Sequence, residues 1–148
     1  MTRQLARIDA AQSGDAAAIL ALLEQQHLPL AGLRDHLATT LVARTDGGQI
    51  VGSAALEIYS DGALLRSVAI ADDRQHRGLG RQLTESAIAL ARDRRVRAIY
   101  LLTTTAEQYF PRFGFERIAR AEVPPGVQTS VEFTSACPSS ATVMRKTL

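Results

Sequence analysis

The chain is poor in cysteine, lysine, aromatic rings and long apolar runs, and each shortage excludes something. Its one cysteine, Cys137, forms no internal disulfide and no multi-thiolate metal site, so no metal is expected. Trp is absent and aromatics are 5% of the residues, which leaves little to stack nucleic-acid bases. The charge excess is small as well: 17 basic against 15 acidic residues leave +2, whereas a nucleic-acid binder usually carries a larger one. Lys146 is the only lysine. No apolar run approaches the roughly 18 residues of a membrane span. The opening residues, MTRQLARIDAAQ, lack the apolar stretch of an export signal, so a cytoplasmic location is expected. What remains is 148 residues, 46% hydrophobic and 22% charged. That is the size and mix of one globular domain over residues 1–148.

Patterning divides the chain into two styles. Residues 3–9 read as a first strand. Ser13 and Asp15 are candidate N-caps for a helix over Ala16–His27, where Ile19, Leu20, Leu23 and His27 share a face. Pro29 stops that helix, and a short helical turn is expected around Leu33–Leu37. Residues 40–45, 49–59 and 63–71 then read as strands, separated by the turns Asp46-Gly47-Gly48 and Asp61-Gly62. Leu79–Arg94 changes to helical period, with Leu83, Ala87, Leu90 and Ala91 as its stripe. Residues 98–103 are a near-continuous apolar strand, so a parallel crossover is expected. Thr104 and Glu107 fit a capping box for a short helix interrupted by Pro111 and ended by Gly114. Strands at 115–119 and 141–147 follow, with a short helix between them from Pro124-Pro125 to about Phe133. The class is α+β, a mixed central sheet of about seven strands with helices on both faces.

The stretch from Arg74 to Arg81 carries the chemistry. It joins an apolar strand to an amphipathic helix, and Gly78 and Gly80 let the backbone approach a ligand closely. The first turn of that helix leaves N–H groups unpaired at the positive end of the helix dipole, which makes an anion site suited to phosphate. Arg74, Arg77 and Arg81 add charge. No Gly-Lys-Ser/Thr triplet is present, so this is not a P-loop. A dinucleotide fingerprint would need glycine where Leu83 stands.

Gln75-x-x-Gly78-x-Gly80 after the strand LLRSVAI, followed by Tyr109-Phe110-Pro111-Arg112-Phe113-Gly114-Phe115, resembles the GCN5-related N-acetyltransferases (GNAT), and the likeness runs over nearly the whole chain. It implies acetyl-CoA as co-substrate. The loop Gln75, His76, Arg77, Gly78, Leu79, Gly80 and Arg81 would hold its pyrophosphate, and Val68, Ala69 and Ile70 would pair with its pantetheine arm. Within the superfamily, Leu64–Val68, Leu101–Thr105, Val123-Pro124-Pro125, Phe133, Cys137-Pro138, Ala141 and Met144 resemble the arsenic-resistance N-acetyltransferases. A looser likeness reaches the acetyltransferase domain of N-acetylglutamate synthases. Both imply a small amino-acid-like amine as acceptor, and dimers are common in the superfamily. Two rival classes are a non-catalytic acyl-CoA sensor and a protein or peptide acetyltransferase.

The catalytic candidates follow from what an amine and a thioester require. An α-amine of pKa about 7.7–8.0 needs only modest help from a base, and a thiol of about 8.5 is a tolerable leaving group. The Val68 N–H is the candidate oxyanion donor. Glu57, in an apolar strand, is the candidate base or water relay, with a raised pKa expected from burial; the alternative is an outward-facing side chain. Arg66, beside Ser67, is suited to an acceptor carboxylate or to a salt bridge with Glu57. Phe110 stands where many relatives place a tyrosine acid. Tyr109, about 100° away around a helix, serves only if Pro111 distorts that helix. Thr103 either bonds the cofactor or ends its strand. His36 has no evident partner, and His27 reads as a packed helix-end residue. Segment 122–137 is expected to cover the acceptor site.

Overall fold

The computed structural model describes residues 6–148. Tight turns between apolar strands build the first half as a meander. β1 (Ala6–Ala10), β2 (Thr40–Thr45), β3 (Ile50–Tyr59) and β4 (Gly62–Ile70) pair antiparallel in chain order. The β2–β3 turn closes where Gly48, at φ 87°, donates its N–H to Thr45 O at 2.8 Å. After β4 the chain crosses through α2 (Leu79–Asp93) to β5 (Ala98–Thr103), which lies parallel to β4. β7 (Thr142–Thr147) pairs antiparallel with β5 and with β6 (Glu116–Ile118). The sheet is seven-stranded in the order β1-β2-β3-β4-β5-β7-β6.

Alternation along β3 and β4 separates the two faces, since neighbouring side chains in a strand point oppositely. Ala54, Leu56, Ala63 and Leu65 pack with Leu83, Ala87 and Ala91 of α2. Ala55 packs on the other face with Ile19 and Leu23 of α1 (Ala16–Gln25). Farther along that second face, Leu64, Tyr100 and Val143 bury Val127 of α3 (Pro125–Gln128). Leu83 is fully buried, and cutting such a leucine to alanine typically costs about 2–5 kcal/mol.

Several boundaries differ from expectation. Residues 3–5 of the first expected strand lie outside the described residues, and β1 runs on to Ala10. Neither Ser13 nor Asp15 caps α1 through its side chain; Asp15 instead accepts from the Gln12 N–H at 2.8 Å and pairs with Arg44 at 2.7 Å. α1 ends at Gln25, and His27 turns left-handed at φ 58°. The cap expected from Thr104 comes from Thr103, whose Oγ1 accepts the Ala106 N–H at 2.9 Å, while Glu107 accepts from Thr142 at 2.8 Å. The helix expected through Phe133 breaks after Gln128 and resumes as one wide turn, Glu132–Ala136.

Candidate active site

The parallel pair holds together only briefly. β4 and β5 are in register at Ala63↔Ile99 and Leu64↔Tyr100 and then part. Beyond Leu64 their facing edges border a cleft of about 1130 Å³ that reaches from the α2 N-terminus to the C-terminal segment. A bulge shapes its β4 wall. Ser53 pairs with Ala69 but Ala55 with Arg66, so Ser67 and Val68 together oppose Ala54. Ser67 takes up the extra residue at φ 60°, and its carbonyl accepts from Ser53 Oγ at 2.7 Å. Val68, Ala69 and Ile70 line the cleft past this bulge.

At one end the cleft meets the glycine-bearing loop. Gly78 is the left-handed N-cap of α2 at φ 86°, and no side chain caps the helix. The N–H groups of its first turn have no intrahelical carbonyl to reach, so their dipoles face the cleft unspent. His76, Gly78, Leu79, Gly80 and Arg81 line this end; Arg77 is exposed and is not part of the lining. The Gln75 side chain is a brace, donating to Ile70 O at 3.1 Å and to Gln26 at 3.2 Å. Arg81 pairs with Glu85 at 2.8 Å on the surface.

The β5 wall carries Thr103, Tyr109 and Phe110. Thr103 spends its hydroxyl oxygen on the turn that ends the strand. Phe110 is buried, and Tyr109 stacks edge-on against Phe110 and Phe113, with the Arg112 guanidinium 4.6 Å from its ring centre. The Tyr109 hydroxyl lies over the first turn of α2, where a Cβ added at Gly80 would come within 3.1 Å of it. Burial raises the Tyr109 pKa. Pro111 does not turn this phenol away from α2.

The other end of the cleft holds a buried charge cluster. Leu64 and Arg66 share a face of β4, and Arg66 reaches into the space under α3 and the turn after it. Its Nη1 donates to Glu57 Oε2 at 2.9 Å and to Ala31 O at 2.7 Å, and its Nη2 donates to Pro29 O at 3.1 Å. Its Nε lies 3.0 Å from Ser67 Oγ and 3.2 Å from Glu132 Oε2. The salt-bridge alternative for Arg66 is therefore the one observed. Glu57 also accepts from the Tyr59 hydroxyl at 2.6 Å, and His36 Nε2 lies 3.7 Å from it, which gives His36 the partner its sequence context did not show. Glu57 is 1% exposed and does not line the cleft. Its expected raised pKa is also corrected. Burial pushes it up, but hydrogen bonds from Tyr59, Arg66 and Ser130, with His36 nearby, outweigh burial and hold it below the ordinary value.

Glu132 is the site residue that sequence patterning missed. It lines the cleft together with Arg66, Ser67 and Cys137. Burial raises its pKa, aided by Glu57 and opposed by Arg66 and Cys137. The Cys137 thiol sits 3.6 Å from Glu132 Oε1 and is pushed up to about 12 by burial and by that carboxylate. The only trace in the sequence is an acid between two apolar residues, Val131-Glu132-Phe133. The segment that delivers Glu132 is pinned where the Gly126 N–H donates to Asp61 Oδ2 at 2.7 Å, and where Arg120 stacks 5.4 Å from the Phe133 ring centre. Among the described residues, no cluster of His, Cys, Asp or Glu is placed to hold a metal, and no helix is long and apolar enough to cross a membrane.

A mixed seven-stranded sheet that parts beside its one parallel pair, with an uncapped helix at the mouth of the gap, is the GNAT acetyltransferase fold. The chain belongs to the acetyltransferase (GNAT) domain family, whose model matches residues 36–117. An uncharacterised N-acetyltransferase, CT2212, of Chlorobaculum tepidum is 31% identical over 78 residues, a match spanning 52% of this chain and 50% of that relative. Rv2747 of Mycobacterium tuberculosis, solved in complex with CoA and NLQ, superposes with a TM-score of 0.80 at 23% identity, over 96% of this chain and 99% of that one. N-acetylglutamate synthase of Neisseria gonorrhoeae, complexed with coenzyme A and N-acetyl-glutamate, does so with 0.82 at 24% identity, over 99% of this chain and 36% of that one.

Proposed function

We propose that residues 1–148 act as one acetyl-CoA-dependent N-acetyltransferase domain, cytoplasmic, with a small amino-acid-like amine as acceptor. One observation carries this: the free edge of β4 beyond Leu64 runs directly toward the uncapped first turn of α2. That arrangement suits a ligand with an amide-bearing arm at one end and a diphosphate at the other. The α2 amides would take the diphosphate, and the backbone of Val68–Ile70 would pair with the arm. The Val68 N–H, just past the bulge, is the candidate donor to the oxyanion. Phe110 has no proton to give, and the Tyr109 hydroxyl lies over the first turn of α2, so this reading assigns no acid to the leaving sulfur. A thiol of ordinary pKa, about 8.5, needs none to leave at neutral pH. The resemblance of Val123-Pro124-Pro125, Phe133, Cys137-Pro138, Ala141 and Met144 to arsenic-resistance enzymes supports arsenical amino-acid analogues as candidate acceptors.

Calorimetry with coenzyme A, followed by thiol release from acetyl-CoA with amino acids and arsenical analogues, tests the proposal. Binding and turnover on at least one amine are expected; indifference to coenzyme A overturns it. Phe110, standing where many relatives carry a tyrosine acid, favours one second reading, an acyl-CoA sensor. Tight binding with no turnover on any amine would select that reading. Gly78→Ala, which forces a side chain into φ 86° without meeting any neighbouring atom, should weaken coenzyme A binding at least tenfold while the fold survives.

A further inference from the structure

Two carboxylates flank one guanidinium at the end of the cleft away from α2, and of the two only Glu132 lines it. Glu57 is sealed behind Arg66, whereas Glu132 faces the open space beside Ser67 and Cys137. Arg66 already gives N–H groups to Glu57, Ala31 O and Pro29 O, and its Nε lies beside Ser67 Oγ and Glu132. The pocket wall at this point is a carboxylate whose cation, Arg66, is shared with a second carboxylate. Such a wall attracts an ammonium group and repels an acid.

We infer that Glu132 is the acceptor-binding base: it receives the substrate's ammonium head and takes a proton from it before attack. This rests on the N-acetyltransferase reading above and names the acceptor chemistry, a primary amine presented as a cation, with any acidic group of the molecule held away from Glu132. The ammonium gives one proton to the Glu132 carboxylate, and the freed nitrogen pair forms the C–N bond to the thioester carbonyl. The C–S bond then breaks with its electron pair on sulfur, and the second nitrogen proton ends on that sulfur. Glu132 later returns its proton to water.

The groups facing Glu132 set its poise. Arg66 of β4 favours its charged form, Glu57 of β3 opposes it, and the Cys137 thiol on its own segment donates toward it. Tyr59 and His36 act one step removed, on Glu57. A raised carboxyl pKa is useful to a base working near neutrality.

The test uses the whole chain with acetyl-CoA and three probes: alanine, alaninamide and propylamine. Glu132→Gln should lower kcat/KM at least 100-fold and abolish the acid limb of its pH profile, with coenzyme A affinity by calorimetry unchanged. Alaninamide and propylamine, which lack a carboxylate, should be acetylated at least as well as alanine. Cys137→Ala removes a donor to the charged form of Glu132, so its acid limb should move to higher pH. That shift leaves the Arg66 contact intact and is not expected of a purely structural carboxylate. Wild-type kcat/KM and an unmoved acid limb in Glu132→Gln would overturn this inference alone, as would an unmoved limb in Cys137→Ala. Coenzyme A binding without acetylation of any probe, or of any amine in the wider panel of amino acids and arsenical analogues, would overturn it together with the reading it rests on.

Discussion

Glu57 has lost its water and kept its charge. Removing an ionised carboxylate from water costs several kcal/mol unless partners replace the lost hydrogen bonds, and here Tyr59 and Arg66 supply them at 2.6 and 2.9 Å. Because its folded pKa is held below the ordinary value near 4.5, its stabilisation is fully present above that value. It is lost as pH falls through the lower, folded one. Glu132 runs the other way: its raised folded pKa means that ionising it costs stability as pH rises past the ordinary value. Glu57→Gln should therefore destabilise the protein by about 3 kcal/mol at pH 7, as expected when one partner of a buried pair is removed. The difference from wild type should shrink steadily below pH 4.5. Urea midpoints measured from pH 3 to 7 check this, and parallel curves for the two proteins would refute it. The same network explains why a buried carboxylate in an apolar strand is a poor guide to a base: the number of donors around it decides the direction of its pKa, and those donors come from β3, β4 and the turn before α3's successor segment.

At the scale of elements, the device that matters is the C-terminal segment laid over the second face of the sheet. α3 has only four residues and cannot stand alone. It is held by burial of Val127 and by Asp61, which accepts from the Gly126 N–H in the manner of a remote cap. Asp61→Ala should cost about 0.5–2 kcal/mol, the usual worth of a cap. Amide exchange should quicken over residues 125–137, and the acceptor KM should rise because Glu132 rides on that segment. Unchanged exchange there would show that Val127 alone holds the segment. Elements of this kind explain what was legible in the residues. Gly78 and Gly80 between an apolar strand and a helical stripe foretold the loop, because backbone chirality and helix polarity act locally. So did the turns at Gly48 and Gly62. Glu132 was not legible, because its meeting with Arg66 spans 66 positions and depends on how α3 packs. Thr103 and Thr104 compete for the same cap one residue apart, and only the place where β5 ends decides between them.

At the scale of the molecule, the sheet is two sheets joined by a short seam. β1–β4 form one half and β5, β7 and β6 the other, and only Ala63↔Ile99 and Leu64↔Tyr100 connect them by strand pairing. α2 spans the seam beneath, with Leu83 and Ala87 packed against Leu65 of one half and Ile99 of the other. A ligand seated in the gap touches both halves and the helix at once, so its binding energy is spent partly on holding them together. Coenzyme A at 100 times its dissociation constant should add about 2.7 kcal/mol to the unfolding free energy. Amide exchange should slow in Leu65–Ile70 and in Leu101–Thr103 together, not only around Gly78–Arg81. Adenosine 3′,5′-bisphosphate, which offers phosphates but no pantetheine arm, should protect the loop and leave the two strands as they were. Equal protection by both ligands would mean that the helix terminus, rather than the parted strands, accounts for recognition of the thioester carrier.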